Sequence, residues 1–316
     1  MKIFFMGATE LGLKCCQELI ALNQEIVGIF TIPKSFSISV SVNQVNNVKF
    51  ANFTNFAEFN KIPFKLITKK ISDTEYSQFV KEKNPDLIVV IGWYYLVPKS
   101  IREIPKFGAI GIHGSLLPKY KGWSPLVWAI INGEKKTGAS LFYLESGVDD
   151  GDIIGQETFE ISEDEYIGES LEKLEKASLS LIRKYIPLME KGCSPRITQA
   201  LEESTHFNIR NPEDGIINWE NQSSTEIFNW IRAQSKPYPG AFTYLAGKKI
   251  TIWKAHIERS EDRYQPGDLV KLSKNSIFEI GFYCKDNRVL VVDEASIDNG
   301  FDVFQRPEIY TKIFNS

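Results

Sequence analysis

Two stretches of this sequence hold residue types at spacings that packing alone would not select. In Gly111-Ile112-His113-Gly114-Ser115-Leu116-Leu117-Pro118-Lys119-Tyr120-Lys121-Gly122, one of only three histidines lies among glycines. An imidazole changes charge near neutral pH and can carry protons, and glycine lets backbone approach a ligand closely. The second stretch, Glu145-Ser146-Gly147-Val148-Asp149-Asp150-Gly151-Asp152, places four acids and two glycines in eight residues, with Asp149 36 positions after His113. A carboxylate beside an imidazole favours its charged form and orients one ring nitrogen. Such a couple is suited to acid–base catalysis. On the residues alone, His113 is either a ligand-facing imidazole or a core histidine satisfied by a backbone carbonyl. The acidic stretch is a partner for it, a surface turn or a metal loop, although its spacing is not that of an EF-hand.

The elements around these stretches decide whether they can meet. Residues 3–6, 25–31, 64–67 and 86–92 are short apolar runs bounded by turn residues, as buried parallel strands are. Strands at 109–113 and 139–144 end where the two stretches begin. Helical periodicity covers 10–22, 73–83, 124–132 and 165–190, while 33–60, rich in Ser and Asn, reads as an insertion with little regular structure. Strands alternating with helices predict an α/β fold with a doubly wound, mostly parallel sheet. Ligands of such sheets sit at the carboxyl ends of the strands, where His113 falls. After about residue 204 a helix at 223–234 is followed by five short strands separated by Gly247, Pro266-Gly267 and Asp286-Asn287, the pattern of a small β-barrel or sandwich. The predicted domains are residues 1–204 and 205–316.

Composition narrows the function classes. The 316 residues carry 37 Lys and Arg against 40 Asp and Glu, a net charge of −3, so the overall balance lacks the basic excess of a chain that holds nucleic acid mainly through its phosphates. Four cysteines form neither a disulfide framework nor a zinc pattern. No apolar run approaches the length of a membrane span. The expectation is a cytoplasmic protein without a nucleic-acid, membrane or metal partner. Gly7-Ala8-Thr9-Glu10-Leu11-Gly12 lacks both the phosphate-loop and the dinucleotide patterns, leaving at most an anion site at a helix N-terminus. Gly92-Trp93-Tyr94-Tyr95-Leu96-Val97 ends a buried strand with three aromatics, which either line a flat heteroaromatic ligand or cap the core.

The run His113 to Gly122 resembles the signature of the 10-formyltetrahydrofolate-dependent formyltransferases, and Val148-Asp149-Asp150-Gly151-Asp152 resembles the second signature of that family. The resemblance extends over nearly the whole chain, through Arg210-Asn211-Pro212-Glu213-Asp214-Gly215 and Lys236-Pro237-Tyr238-Pro239-Gly240-Ala241-Phe242. It implies a Rossmann-like catalytic domain followed by an OB-like barrel, with N10-formyltetrahydrofolate as co-substrate and no metal. His113 would stabilise the developing oxyanion and move protons, and Asp149 would hold its charge state and help deprotonate the amine. Gly92, Trp93, Tyr94, Tyr95, Leu96 and Val97 would cradle the pterin, with Gly111, Leu116 and Pro118 beside them. Ser115, Lys119, Tyr120, Lys121, Trp123 and Arg210 are the candidates for the acceptor side. Trp123 would either pack a sugar or base or anchor the helix that follows. One departure stands out: the family usually has asparagine, an oxyanion donor, where this chain has Gly111. A backbone N–H, a water or another amide would have to replace it.

Two acceptors follow from the resemblance: a nucleotide-linked amino sugar, or methionyl-tRNA. Gly111 opens a third reading, a non-catalytic folate or sugar-nucleotide binder. The tract Lys236 to Phe242 with Lys249-Ile250-Thr251-Ile252-Trp253 looks closer to the enzymes that formylate amino sugars of cell-surface polysaccharide precursors. Residues 205–316 hold 14 Lys and Arg against 15 Asp and Glu, a balance of −1, where a tRNA-docking domain gains from basic surface. The expected acceptor is therefore the amino sugar. The insertion at 33–60 reads as a wall of its pocket or as a solvated loop. Sugar-modifying relatives are often dimers, so a homodimer is an open expectation.

Overall fold

The apolar runs predicted as strands pair into one seven-stranded sheet in the computed structural model, which describes residues 1–38, 44–68, 74–245, 247–274, 277–297 and 301–302. Its strands are β1 (Lys2–Met6), β2 (Glu25–Thr31), β3 (Phe64–Leu66), β4 (Leu87–Val90), β5 (Ala109–His113), β6 (Lys136–Tyr143) and β7 (Ile153–Glu160), in the order β7-β6-β5-β4-β1-β2-β3. Strands β3, β2, β1, β4 and β5 are parallel, and β6 and β7 join antiparallel. The central strands are apolar on both faces because both are covered: Phe4, Phe5, Met6, Leu87, Ile88 and Val89 are buried. Strand β7 is absent from the sequence reading. Its first residues, Ile153, Ile154 and Gly155, are buried, but Gln156 to Glu160 alternate with solvent as an edge strand does.

The insertion is more ordered than its composition suggests. It contains a helix, Phe53–Phe59, whose N-terminus is capped by Asn52, and a two-residue ladder pairing Ser35–Phe36 with Val45–Asn46. Asn47, 2% exposed, ties it to the β1 end by donating from Nδ2 to the Ala8 carbonyl at 2.9 Å. Apolar side chains rather than hydrophilic sequence decide its fold here: Phe53 and Ala57 face inward.

The chain divides into two compact units. One comprises Met1–Pro125, Lys136–Glu160 and Glu172–Ile209, and contains the seven-stranded sheet. The other comprises Leu126–Lys135, Ile161–Leu171 and Arg210–Ser316. Its strands β8 (Ala241–Leu245), β9 (Lys248–Arg259), β10 (Leu269–Lys274), β11 (Ile277–Tyr283) and β12 (Arg288–Ile297) form an antiparallel sheet in the order β8-β9-β12-β11-β10. The two-residue strand Phe301–Asp302 pairs with β12, and this antiparallel sheet is the small C-terminal β domain that the turn-punctuated strands predicted. The helix Ser224–Gln234 starts at a Ser223/Glu226 capping box and buries Ile227 and Ile231 with Ile250, Ile252 and Leu290. Among the described residues no helix is long and apolar enough to cross a membrane.

Candidate active site

Strand β5 ends on His113, which is 8% exposed. Its Nε2 lies 2.7 Å from the backbone carbonyl of Tyr120, and its Nδ1 lies 3.5 Å from Asp149 Oδ2. The imidazole is thus met by a backbone carbonyl on one nitrogen and faces the predicted carboxylate with the other. Asp149 has φ +56°, and its carboxylate accepts a 2.9 Å hydrogen bond from the Gly122 N–H. The acidic loop is held in place by tight glycine contacts. A Cβ on Gly151 would lie 1.8 Å from the Tyr143 backbone carbonyl, so only glycine fits there, whereas one on Gly147 would lie 1.6 Å from Asp150 Oδ2 and would oblige that side chain to turn aside. Gln199, not singled out from sequence, donates from Nε2 to the carbonyls of Asp149 (2.8 Å) and Gly151 (2.7 Å). Nothing local marks such a residue in the sequence; it acts across 50 positions.

The signature loop divides into scaffold and surface. Ser115 is fully buried and donates to the Lys119 carbonyl at 2.6 Å. Lys121 is 1% exposed and its Nζ meets Asp150 Oδ1 at 3.1 Å. Tyr120 is 8% exposed, with its ring stacked on Phe207 at 4.9 Å. As placed, these three side chains are part of the loop's own packing. The buried hydroxyl, ammonium and ring each have partners within the protein. Lys119 is exposed and Leu116 and Pro118 are half-buried. Leu117 hands its N–H to Ser140 Oγ (3.0 Å), and Gln156 Nε2 donates to the Leu117 carbonyl (2.9 Å) and to Ser140 (2.8 Å). Ser140 and Gln156 are further scaffold residues that the sequence did not reveal.

The aromatic loop follows β4. Gly92 has φ +65°, and a Cβ there would lie 1.9 Å from Thr9 Oγ1. Trp93, Tyr94, Tyr95 and Val97 are half-buried, packed with Trp123 and Leu144, while Leu96 is 69% exposed. Phe36 of the insertion meets the Tyr94 ring edge-on at 4.7 Å, and Tyr95 donates its hydroxyl to the Ser37 carbonyl at 3.2 Å. Burial pushes the Tyr95 phenol above its usual pKa. The insertion therefore abuts the aromatic loop. Among the described residues, Trp93 Nε1 is buried with no hydrogen-bond partner. A buried orphan donor beside aromatic faces fits a flat heterocycle with acceptor atoms. Trp123 stands 6.3 Å from Tyr94, within this cluster.

Gly111 lies on β5 with Leu144 Cδ2 and the Val90 carbonyl each 3.2 Å from where a Cβ would stand. The space an asparagine would enter is already narrow. At the helix N-terminus at Glu10, Thr9 Oγ1 caps the first turn by accepting from Gly12 N–H (3.2 Å), and a Cβ on Gly12 would lie 2.5 Å from the Ile91 carbonyl. Arg210 belongs to the second compact unit. Its guanidinium lies between the Trp128 and Trp230 rings, 4.9 and 4.5 Å from their centroids, and donates to Gln234 Oε1 and the Asp214 carbonyl. The structure brings together His113, Asp149, Tyr120, Lys121 and Gly122; within the second unit, Arg210 meets the Trp128 and Trp230 rings.

A histidine–carboxylate pair thus lies at the carboxyl end of the parallel strands of a doubly wound α/β sheet, with an aromatic loop on the neighbouring strand end. Residues 1–186 match the formyl transferase family and residues 210–301 match the formyl transferase C-terminal domain. The chain belongs to the formyltransferase family, and its activity is formyl transfer from a formyl-tetrahydrofolate. It is 39% identical over 278 residues to methionyl-tRNA formyltransferase of Alkaliphilus oremlandii, covering 88% of this chain and 87% of that one. It is 33% identical over 273 residues to the bifunctional polymyxin resistance protein ArnA of Wigglesworthia glossinidia brevipalpis, covering 86% of this chain and 40% of that one. In fold it resembles the N-formyltransferase from Helicobacter canadensis, solved with folinic acid and dTDP-3-aminofucose, at a TM-score of 0.64 and 19% identity, over 92% of this chain and 98% of that one.

Proposed function

We propose that this chain formylates the primary amine of a sugar carried on a nucleotide. The observation that carries this choice of acceptor is the pairing of the cations that meet the acidic stretch: Lys121 is paired with Asp150 and Arg196 with Asp152. In the signature loop that leaves Lys119 exposed, which suits the few charges of a nucleotide diphosphate better than the phosphate backbone of tRNA. In the C-terminal stretch Lys236 and Lys254 both meet Glu294, consistent with its net acidic balance. The resemblance of the tract Lys236 to Phe242 to amino-sugar enzymes supports the same reading.

The folate supplies the formyl group when bound, with Trp93, Tyr94 and Tyr95 as the residues suited to hold its ring. His113 and Asp149 then have two tasks. The amine must lose a proton as it forms its new bond, and the departing nitrogen must gain one. Nδ1 of His113 and the carboxylate beside it are the groups placed to relay that proton. Negative charge growing on the formyl oxygen needs a donor, which Gly111 does not supply from a side chain.

The second reading is methionyl-tRNA as acceptor. Sequence similarity backs it better than the amino sugar: the Alkaliphilus oremlandii enzyme is 39% identical along nearly its whole length. One experiment separates the two. The purified chain is supplied with N10-formyltetrahydrofolate and either a panel of thymidine- and uridine-linked amino sugars or charged initiator tRNA. Formylation of a sugar nucleotide with none on the tRNA supports the first reading; formylation of tRNA alone overturns it.

A further inference from the structure

The contact that fixes His113 most closely is the Tyr120 carbonyl, and Tyr120 does not hold itself in place. It has φ +58°, a conformation that side-chain-bearing residues rarely adopt unless neighbours impose it. The neighbours are in residues 205–207. Tyr120 N–H donates to Thr205 Oγ1 at 2.8 Å, Lys121 N–H donates to the Thr205 carbonyl at 2.8 Å, and Trp123 N–H donates to the Phe207 carbonyl at 3.1 Å. His206 and Phe207 form a parallel ladder with Lys121 and Gly122. The Phe207 ring lies on the Tyr120 ring with an interplanar angle of 8°. Gly122, at φ +91°, completes the fit, because a Cβ there would lie 2.5 Å from the Phe207 carbonyl.

The consequence for His113 follows from hydrogen-bond chemistry. A carbonyl only accepts, so Nε2 must carry the hydrogen in the 2.7 Å contact. That assigns Nδ1 to the side facing Asp149. The same ladder presents the Gly122 N–H that anchors the Asp149 carboxylate. One two-residue ladder therefore sets both partners of the imidazole.

We propose that Thr205 and Phe207 are positioning residues for formyl transfer: by holding Tyr120 in its left-handed conformation they fix Nε2 of His113 as donor and leave Nδ1 to exchange protons beside Asp149. The proposal rests on His113 as the proton carrier in the proposed function. Thr205→Val removes the oxygen that accepts from Tyr120 while keeping the side-chain shape, Thr205→Ser keeps that oxygen, and Phe207→Leu removes the stack. Long-range proton–nitrogen NMR of the full chain reads the ring tautomer, with only three histidines to assign. The wild type and Thr205→Ser should show His113 protonated at Nε2, whereas Thr205→Val and Phe207→Leu should lose that single pattern. Turnover with whichever acceptor supports it should fall at least about tenfold in Thr205→Val, with KM for the formyl donor within about twofold, and recover in Thr205→Ser. An unchanged ring pattern and full turnover in both Thr205→Val and Phe207→Leu overturns the proposal, as does an equal loss in Thr205→Ser. If His113→Asn retains full turnover, the functional reading of His113 fails instead, while the NMR result still decides whether Thr205 sets its tautomer.

Discussion

Asp149 Oδ2 stands 3.5 Å from His113 Nδ1 while accepting a 2.9 Å hydrogen bond from the Gly122 N–H. One oxygen thus serves both the imidazole and the loop that carries the imidazole's other partner. Asp149→Asn retains an oxygen that can accept from Gly122 but loses the charge. Turnover should fall by on the order of 10²–10⁴, with a melting temperature close to that of the wild type. Asp149→Ala should show the same loss of rate together with a lower melting temperature, because the Gly122 N–H then has no acceptor. Steady-state kinetics and thermal melts of the two variants distinguish chemistry from scaffolding.

Gly111 tests how the site manages without the usual amide. A Cβ there meets Leu144 Cδ2 and the Val90 carbonyl at 3.2 Å each, so any substitution pushes against its neighbours. Gly111→Ala measures that steric effect alone. Gly111→Asn adds an amide on the same backbone and should exceed Gly111→Ala in turnover, by up to about 10²–10³ if the amide reaches the developing oxyanion. Turnover of the asparagine variant at or below that of the alanine variant would mean that another group already fills the donor's place.

Much of the fold was legible because buried parallel strands are continuous apolar runs; the ranges 25–31 and 109–113 coincide with β2 and β5. Strand β7 escaped because most of it alternates on a sheet edge, and the helix Phe53–Phe59 because its two inward residues are diluted by Asn and Thr. The site was legible where chemistry demands rare residues, at His113 and Asp149. It was illegible where support comes from ordinary residues far along the chain. Gln199, Ser140, Gln156 and Thr205 act through hydrogen bonds that span 16 to 85 positions, and no local pattern announces such bonds. The burial of Ser115 and Lys121 was illegible for a related reason: a motif singles out a polar residue without showing how deeply the fold packs it.

Lys121 and Asp150 should respond asymmetrically to mutation. The ammonium is 1% exposed, whereas the carboxylate side chain is 43% exposed. Asp150→Ala strands a buried cation, which should cost about 3 kcal/mol, at the low end for breaking a buried pair because one partner is half in water. Lys121→Met replaces the buried cation with an apolar chain of similar length and returns Asp150 to solvent, which should cost no more than about 1 kcal/mol. Urea unfolding of the two variants gives the comparison; equal costs would show that the pair is not buried on the lysine side in solution.

Acid stability should depend on Asp86, which sits just before β4 and joins it to β1. Hydrogen bonds from the Lys106 ammonium and from the Lys2 backbone N–H hold its carboxyl below the ordinary value of 3.8. A folded-state pKa below the unfolded one means that the ionised form is favoured by folding. Its contribution is present above the unfolded pKa and is lost as the pH falls through the folded one. The wild type should therefore lose stability below about pH 4 more steeply than Asp86→Asn, whose side chain does not titrate. The two causes separate by salt. Lys106 is 64% exposed, so its share should shrink in about 1 M salt. The Lys2 N–H is a backbone dipole in the first residue of β1, and its share should persist. Urea midpoints from about pH 6 to about pH 3, at low and high salt, test both parts. A difference between the two proteins that vanishes entirely in salt would assign the whole effect to Lys106 and leave the Lys2 hydrogen bond without a role.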